Sequence, residues 1–241
     1  MAHPIKQSGH RPIRSFTLRE GRLTPGQKKA LQELWPVYGI DTGIGTQKQA
    51  PAFADIFAND HPVILEIGFG NGESLAQTAA QLPAVNFLGI EVHRPGIGHL
   101  LLALDRMQLT NVRVINHDAM EVLSGWIPEN SLTAIWLFFP DPWPKKKHHK
   151  RRIVNSGFLD QIARCLKPQG ILHMATDWQD YAVHMRTALK KDSRFSEELS
   201  PTNPYRDLIP HRPRTKFERR GLKKGHSITD LFYRFVPGRQ A

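Results

Sequence analysis

The stretch VILEIGFGNGES, residues 63–74, decides how the chain reads. Val63–Ile67 is a short apolar run interrupted only by Glu66, the pattern of a strand buried on both faces. It leads into Gly68, Gly70 and Gly72, whose spacing of two allows a tight turn and a close backbone approach to a ligand. A helix is predicted next, over Glu73–Leu82. Strand, glycine loop and helix together open a right-handed βαβ unit.

Outward from this unit the alternation continues. Strands are predicted over Asn86–Glu91, Val112–Ile115, Leu132–Phe138 and Ile171–Ala175, and helices over Gly98–Leu109, Gly157–Leu166 and Trp178–Lys190, with an acidic turn at Asp118–Leu123. Two further runs, Phe195–Leu199 and Ser227–Phe235, end the pattern, and the second alternates like a strand. The expected fold is α/β, a doubly wound, mostly parallel open sheet whose last strand is antiparallel. Ligands of such sheets lie at the carboxyl ends of the strands. Toward the N-terminus, Thr24-Pro25 signals a helix start that places Leu31, Leu34 and Trp35 on one face. The expected organisation is a flexible basic arm over 1–23, a helical extension over 24–60 and a single ligand-binding domain over 61–241.

The acids around the glycine loop set its chemistry. A dinucleotide fingerprint needs Gly or Ala where this chain has Glu73, and a carboxylate at a helix N-terminus competes with a pyrophosphate for the same amides. A nicotinamide cofactor is therefore disfavoured. Glu66 precedes the first glycine, Glu91 ends the second strand and Asp118 follows the third. A carboxylate at Glu91 suits two ribose hydroxyls, one at Asp118 suits an adenine amino group, and acids accommodate a sulfonium cation. Three acids at three successive strand ends, beside Gly68, Gly70 and Gly72, imply S-adenosylmethionine and methyl transfer.

After the apolar strand comes Pro140-Asp141-Pro142-Trp143-Pro144-Lys145. Its prolines fix three φ angles and remove three donors, which makes a stiff loop at the end of the fourth strand. The loop holds an acid, an aromatic and a cation where cofactor and substrate should meet.

Charge points to the second substrate. Lys and Arg number 33 against 22 Asp and Glu, a net charge of +11, yet residues 61–140 hold three basic and seven acidic side chains. The excess is concentrated in KKKHHKRR (145–152), with six basic residues, and in 206–224, with eight basic and two acidic. Such runs beside a candidate active site indicate a nucleic acid, and Lys146, Lys147, His148, His149, Lys150, Arg151 and Arg152 are the expected RNA contacts. The one cysteine, Cys165, has no disulfide partner and reads as a buried small hydrophobe, and no Cys/His spacing suits a metal. No apolar run approaches the ~20 residues of a membrane span, so a cytoplasmic protein with no membrane partner is expected.

LEIGFGNGES (65–74), GIEVHRPG (89–96), FPDPWPKKKHHKRR (139–152), ATDW (175–178) and RTKFERRG (214–221) together resemble the bacterial tRNA (guanine-N7)-methyltransferase family, in order over about residues 60–235. The resemblance implies a Rossmann-like fold of the class I methyltransferase type for 61–241. It also implies S-adenosylmethionine as donor and a guanosine in the tRNA variable loop as acceptor. Cofactor contacts then fall on Glu66, Glu91, Asp118 and Asp141, and substrate contacts on Lys145, Asp177, Thr215, Lys216, Phe217 and Glu218. DNA is not an expected partner, and a monomer is favoured.

Guanine N7 has an in-plane lone pair and no proton, so attack on a sulfonium methyl needs no prior deprotonation. Asp141 is expected to supply fixed negative potential to the cation forming on the purine. Asp177 and Glu218 suit the N1–H and exocyclic amine of guanine, Lys145 or Lys216 its O6 or a phosphate, and Trp143 or Phe217 its face. Two alternatives stand beside this. Methylation of an exocyclic amine favours an Asn/Asp-Pro-Pro-aromatic loop, and Asp141-Pro142-Trp143 lacks the second proline. Non-catalytic RNA binding on a methyltransferase scaffold would leave the four cofactor acids without a purpose.

Overall fold

A computed structural model describes residues 15, 21–45, 51–198, 213, 215–223 and 225–238, with Lys216 and Phe217 described by their backbone alone. Most of the expected 1–23 arm, Leu199 and the part of the second basic run before Pro213 lie outside the described residues.

The described strands are β1 (Val63–Ile67), β2 (Asn86–Ile90), β3 (Val112–Ile115), β4 (Leu132–Phe138), β5 (Leu166–Thr176), β6 (Phe195–Glu197) and β7 (Thr229–Phe235). They form one sheet in the order β3-β2-β1-β4-β5-β7-β6. The first five are parallel, and β7 runs antiparallel to both β5 and β6. The expected α/β sheet with a reversed last strand is thus the observed one.

Helices cover both faces, which is why β1 is buried at every position. Along the chain they are α1 (Pro25–Glu33), α2 (Trp35–Tyr38), α3 (Phe53–Phe57), α4 (Glu73–Gln81), α5 (Arg94–Arg106), α6 (Ala119–Gly125), α7 (Ser156–Cys165) and α8 (Gln179–Lys190), with a last helix at Lys216–Lys223. Leu65, Ile67, Ile135 and Leu137 pack with apolar residues of α6, α7 and α8. Ile64, Phe87, Ala134 and Trp136, alternate residues of the same strands, pack with α1, α4 and α5. Cys165 is fully buried in the first layer, and burial pushes its thiol up to about 11.

The N-terminal helix is tied to the sheet domain. Thr24 and Gln27 cap α1 reciprocally: the Gln27 N–H donates to Thr24 Oγ1 (3.2 Å) and the Thr24 N–H to Gln27 Oε1 (2.9 Å). Gln27 Nε2 also donates to the Pro95 carbonyl (3.1 Å) on α5. Beyond α2, the Ile40 N–H donates to the Val114 carbonyl (2.8 Å), covering part of the β3 edge.

Several elements differ from the sequence expectation: the acidic turn expected at 118–123 is the helix α6, α3 and the last helix were not expected, and three further differences have a local cause. Helix α5 begins at Arg94 rather than Gly98, because Pro95 sits in the first turn, where its missing N–H is no loss. Strand β5 begins at Leu166 rather than Ile171. The exposed Lys167–Gln169 segment bulges out of the sheet, with Gln169 at φ +68°, and the pairing register shifts between Leu132 and Ala134. The basic run folds into a 3-10 helix, Lys146–Arg151, which no apolar periodicity announces.

Candidate active site

The chain leaves β1 toward one face of the sheet and β4 toward the other, so a crevice opens beyond their carboxyl ends. Gly68, Gly70 and Gly72 turn there with φ of +71°, +64° and +71°, a conformation that a side chain would strain. The loop is also crowded. A Cβ on Gly96, at the start of α5, would stand 1.9 Å from the Gly70 carbonyl oxygen. Glu91, at 9% exposure, holds the loop from the next strand end. Its Oε2 accepts from the Gly70 N–H (2.8 Å), and its Oε1 accepts from the N–H groups of Val92 (2.7 Å) and His93 (3.0 Å). Three of about four acceptor positions of the carboxylate are thereby used.

A cavity of about 370 Å³ lies against this loop, bounded by Gly68, Glu91, His117, Asp141 and Ile153, with Ile90, Val92 and Ala119 as apolar walls. Gly68, Phe138 and Phe139 separate it from a smaller cavity lined by Glu66, Asn71, Ser74 and Thr215. The two present three carboxylates, those of Glu66, Glu91 and Asp141, and no Lys or Arg among their described lining. An apolar slot with an acidic rim suits an adenosyl group carrying a sulfonium and an ammonium, and rejects a polyphosphate. Its size is that of a small-molecule site. The residues therefore fit S-adenosylmethionine. Asp118 stands behind the lining. Its Oδ1 accepts from the Met120 N–H (2.8 Å) and caps α6, while His117 and Ala119 on either side reach the cavity.

The proline loop is held in a sparsely populated conformation, with Phe139 at φ +52° and Trp143 at φ +43°. The Phe139 N–H donates to the Ala175 carbonyl (2.7 Å). Trp143 Nε1–H donates to the Ser15 carbonyl (3.0 Å), and Ser15 itself lines the larger cavity. The Trp143 ring is already engaged, with the Arg151 guanidinium 3.8 Å from its centroid and the His148 ring stacked at 5.9 Å. Its expected role as a free stacking surface for the purine is corrected accordingly. Loss of hydration, reinforced by Lys147, Arg151, Lys145 and Lys150, holds His148 below the ordinary histidine range. Lys145, Lys146, Lys147 and Lys150 are exposed. Arg152 is not, and this corrects its expected place among the RNA contacts: its side chain is 2% exposed and turned inward.

The last helix closes the glycine-loop side. Thr215 Oγ1 accepts from the Glu218 N–H (3.0 Å), a T-x-x-E capping pattern legible in the sequence, where it lies hidden inside a stretch dominated by charge. Arg219 Nη2 donates to Glu73 (2.8 Å), which lowers the Glu73 pKa, and Ser74 Oγ donates to the Pro213 carbonyl (3.2 Å). Glu218 is buried at 9% exposure. At the end of β5, Asp177 pairs with His226 Nδ1 (3.1 Å), and a Cβ on Gly221 would press within 2.7 Å of its Oδ2. The structure thus brings Glu66, Glu91, Asp141 and Thr215 to two adjoining cavities and sets Asp177 under the last helix. His226, His117, Ile153 and Ser15 were not expected at the site. His226 lies 49 residues from its partner, and no local pattern links the two.

Among the described residues no helix is long and apolar enough to cross a membrane, and no group of His, Cys, Asp and Glu is arranged to hold a metal ion.

The strand order with its reversed β7, the glycine loop and the acid-lined cavity define a class I S-adenosylmethionine-dependent methyltransferase. A solved 16S rRNA methyltransferase, KamB, shares this fold with a TM-score of 0.55 at 15% identity, covering 79% of this chain and 96% of that one. A family model described as a putative methyltransferase matches residues 60–231. The tRNA (guanine-N(7)-)-methyltransferase of Alkalilimnicola ehrlichii is 53% identical over 230 residues, 94% of each chain. That of Nitrosococcus oceani is 53% identical over 224 residues, 93% of this chain and 91% of that one. The Halorhodospira halophila protein of the same name is 48% identical over 94% of this chain and 96% of its own. The chain belongs to the tRNA (guanine-N(7)-)-methyltransferase family.

Proposed function

We propose that the protein transfers the methyl group of S-adenosylmethionine to N7 of a guanosine in the variable loop of tRNA. One observation carries this reading: the Asp141 loop is both a wall of the acid-lined cavity and the entry to the lysine-rich 3-10 helix, so a cationic donor and a polyanion meet there. The names borne by the relatives support N7 of a tRNA guanine as the acceptor. When bound, the cofactor supplies an electrophilic methyl, the N7–C bond forming as the C–S bond breaks and the positive charge passing to the purine.

The chain's residues bind, orient and stabilise. Glu91 keeps one acceptor position for a ribose hydroxyl while holding Gly70. Asp118, by capping α6, sets His117 and Ala119 against the adenine, and Glu66 with Gly68, Gly70 and Gly72 takes the amino-acid end. Asp141 supplies negative potential where the purine cation forms, and N7 has no proton for it to remove. Asp177 and Glu218 accept from the guanine donors, Lys145 and Lys216 reach O6 or a phosphate, and Thr215 and Phe217 complete the guanosine site. Lys146, Lys147, His148, His149, Lys150 and Arg151 carry the tRNA backbone. In this reading 61–241 is the catalytic domain, 24–60 an extension packed on it, and the protein works as a cytoplasmic monomer.

Incubation with methyl-labelled donor and unmodified tRNA, followed by nucleoside analysis, tests the proposal. The expected product is 7-methylguanosine in the variable loop. A guanine methylated on its exocyclic amine, or donor binding with no product, would overturn it.

A further inference from the structure

We infer that Arg152 is a positioning residue for methyl transfer, locking the Asp141 loop through the Pro142 carbonyl rather than contacting RNA; what the loop does rests on the proposed function above. Pro140, Pro142 and Pro144 have no N–H, so the loop cannot anchor itself through those amides. Its strained residues, Phe139 and Trp143, flank Asp141, and such conformations persist only where the surroundings over-determine them. Phe139 is tied to β5 through its N–H. Between the two strained residues, Pro142 is tied by Arg152 Nε, which donates to its carbonyl at 2.9 Å, one residue from Asp141.

Arg152 is itself held on several sides. Its Nη2 donates to Asp180 Oδ2 (2.5 Å) at the start of α8, and its guanidinium lies 4.9 Å from the centroid of the buried Tyr181 ring. Its N–H donates to the His149 carbonyl (2.9 Å) and its carbonyl accepts from Asn155 Nδ2 (3.2 Å). A buried guanidinium without partners would be strongly destabilising, so this network is what allows a charge at 2% exposure. The outward face of the network borders a groove of about 770 Å³ between the 3-10 helix, α7 and α8, outside the cavity that Asp141 lines. Arg152 therefore acts through Pro142, with Asp180 as its counter-ion. Lysine cannot reproduce this, because one ammonium lacks the planar fork that serves two acceptors while lying over a ring.

The test uses the full chain with 5-fluorotryptophan incorporated, the Trp143 ¹⁹F line being assigned by Trp143→Phe. Arg152→Lys is expected to shift or broaden that line while the lines of the buried Trp126 and Trp136 stay in place. Single-turnover transfer at saturating donor and tRNA should fall by about 10- to 100-fold, the scale of a misplaced reacting group. Affinity for both ligands and the salt dependence of tRNA binding should stay within twofold. Asp180→Asn keeps the inference testable if Arg152→Lys misfolds, since the Asp180 side chain is 62% exposed. It should move the same line and slow the same step to a smaller degree. Weaker tRNA binding at an unchanged saturated rate would make Arg152 an RNA contact and overturn the inference. So would an unmoved Trp143 line in either folded variant, whatever the rate. If the Trp143 line moves as expected but wild-type protein does not methylate tRNA, the proposed function fails and the structural part of the inference stands.

Discussion

Asp141 and Glu91 are both acids at the cavity, but their surroundings give them different tasks. Asp141 is exposed on a stiff loop, so its removal should leave the fold and tRNA binding intact. Asp141→Asn is expected to slow single-turnover transfer by about one to three powers of ten, the scale for one preorganised electrostatic group. A wild-type rate at saturating ligands would remove it from catalysis. Glu91 is buried and accepts from three backbone N–H groups. Glu91→Ala should therefore weaken donor binding by roughly 1.5–3 kcal/mol, the scale for hydrogen bonds to a charged group. Calorimetry giving an unchanged donor affinity would refute the assignment. Both acids were legible in the sequence from their positions at strand ends. The sequence did not show that Glu91 spends most of its acceptor capacity on the glycine loop, because a strand end and a loop 21 residues apart meet only in the folded sheet.

At the scale of elements, strands were easier to read than the helix starts and bulges between them. β1, β3 and β4 begin and end where apolar runs do, whereas α5 and β5 start earlier than expected because Pro and Gly are accommodated at a first helical turn and in a bulge. The last helix depends on its cap. Thr215→Ala should destabilise it by about 1 kcal/mol and raise hydrogen exchange over 218–223, while Thr215→Ser should not. Equal exchange in Thr215→Ala and wild type would show that the cap does not hold the helix and that contacts such as the Arg219–Glu73 pair do.

Over the whole molecule, the charge is divided by task. The cofactor crevice is acidic and the 3-10 helix beside it is basic, so each ligand has its own electrostatic approach. Replacing the exposed Lys146, Lys147 and Lys150 together by Gln should lower the slope of log tRNA affinity against log salt by about 0.9 for each phosphate no longer neutralised. Donor binding should be unchanged. An unaltered slope would mean that the run is solvated surface.

The sequence by itself determined the sheet and the chemistry at its edge. Alternation of apolar strands and helices, glycines at a spacing of two and acids at successive strand ends are local patterns, and backbone sterics and burial act on them locally. Tertiary structure alone decided which charges are turned inward. Arg151 and Arg152 are neighbours in one basic run, yet one lies on Trp143 and the other is buried between Pro142 and Asp180. Desolvation and partnering depend on side chains brought together from α8 and the proline loop, and no pattern within KKKHHKRR contains them.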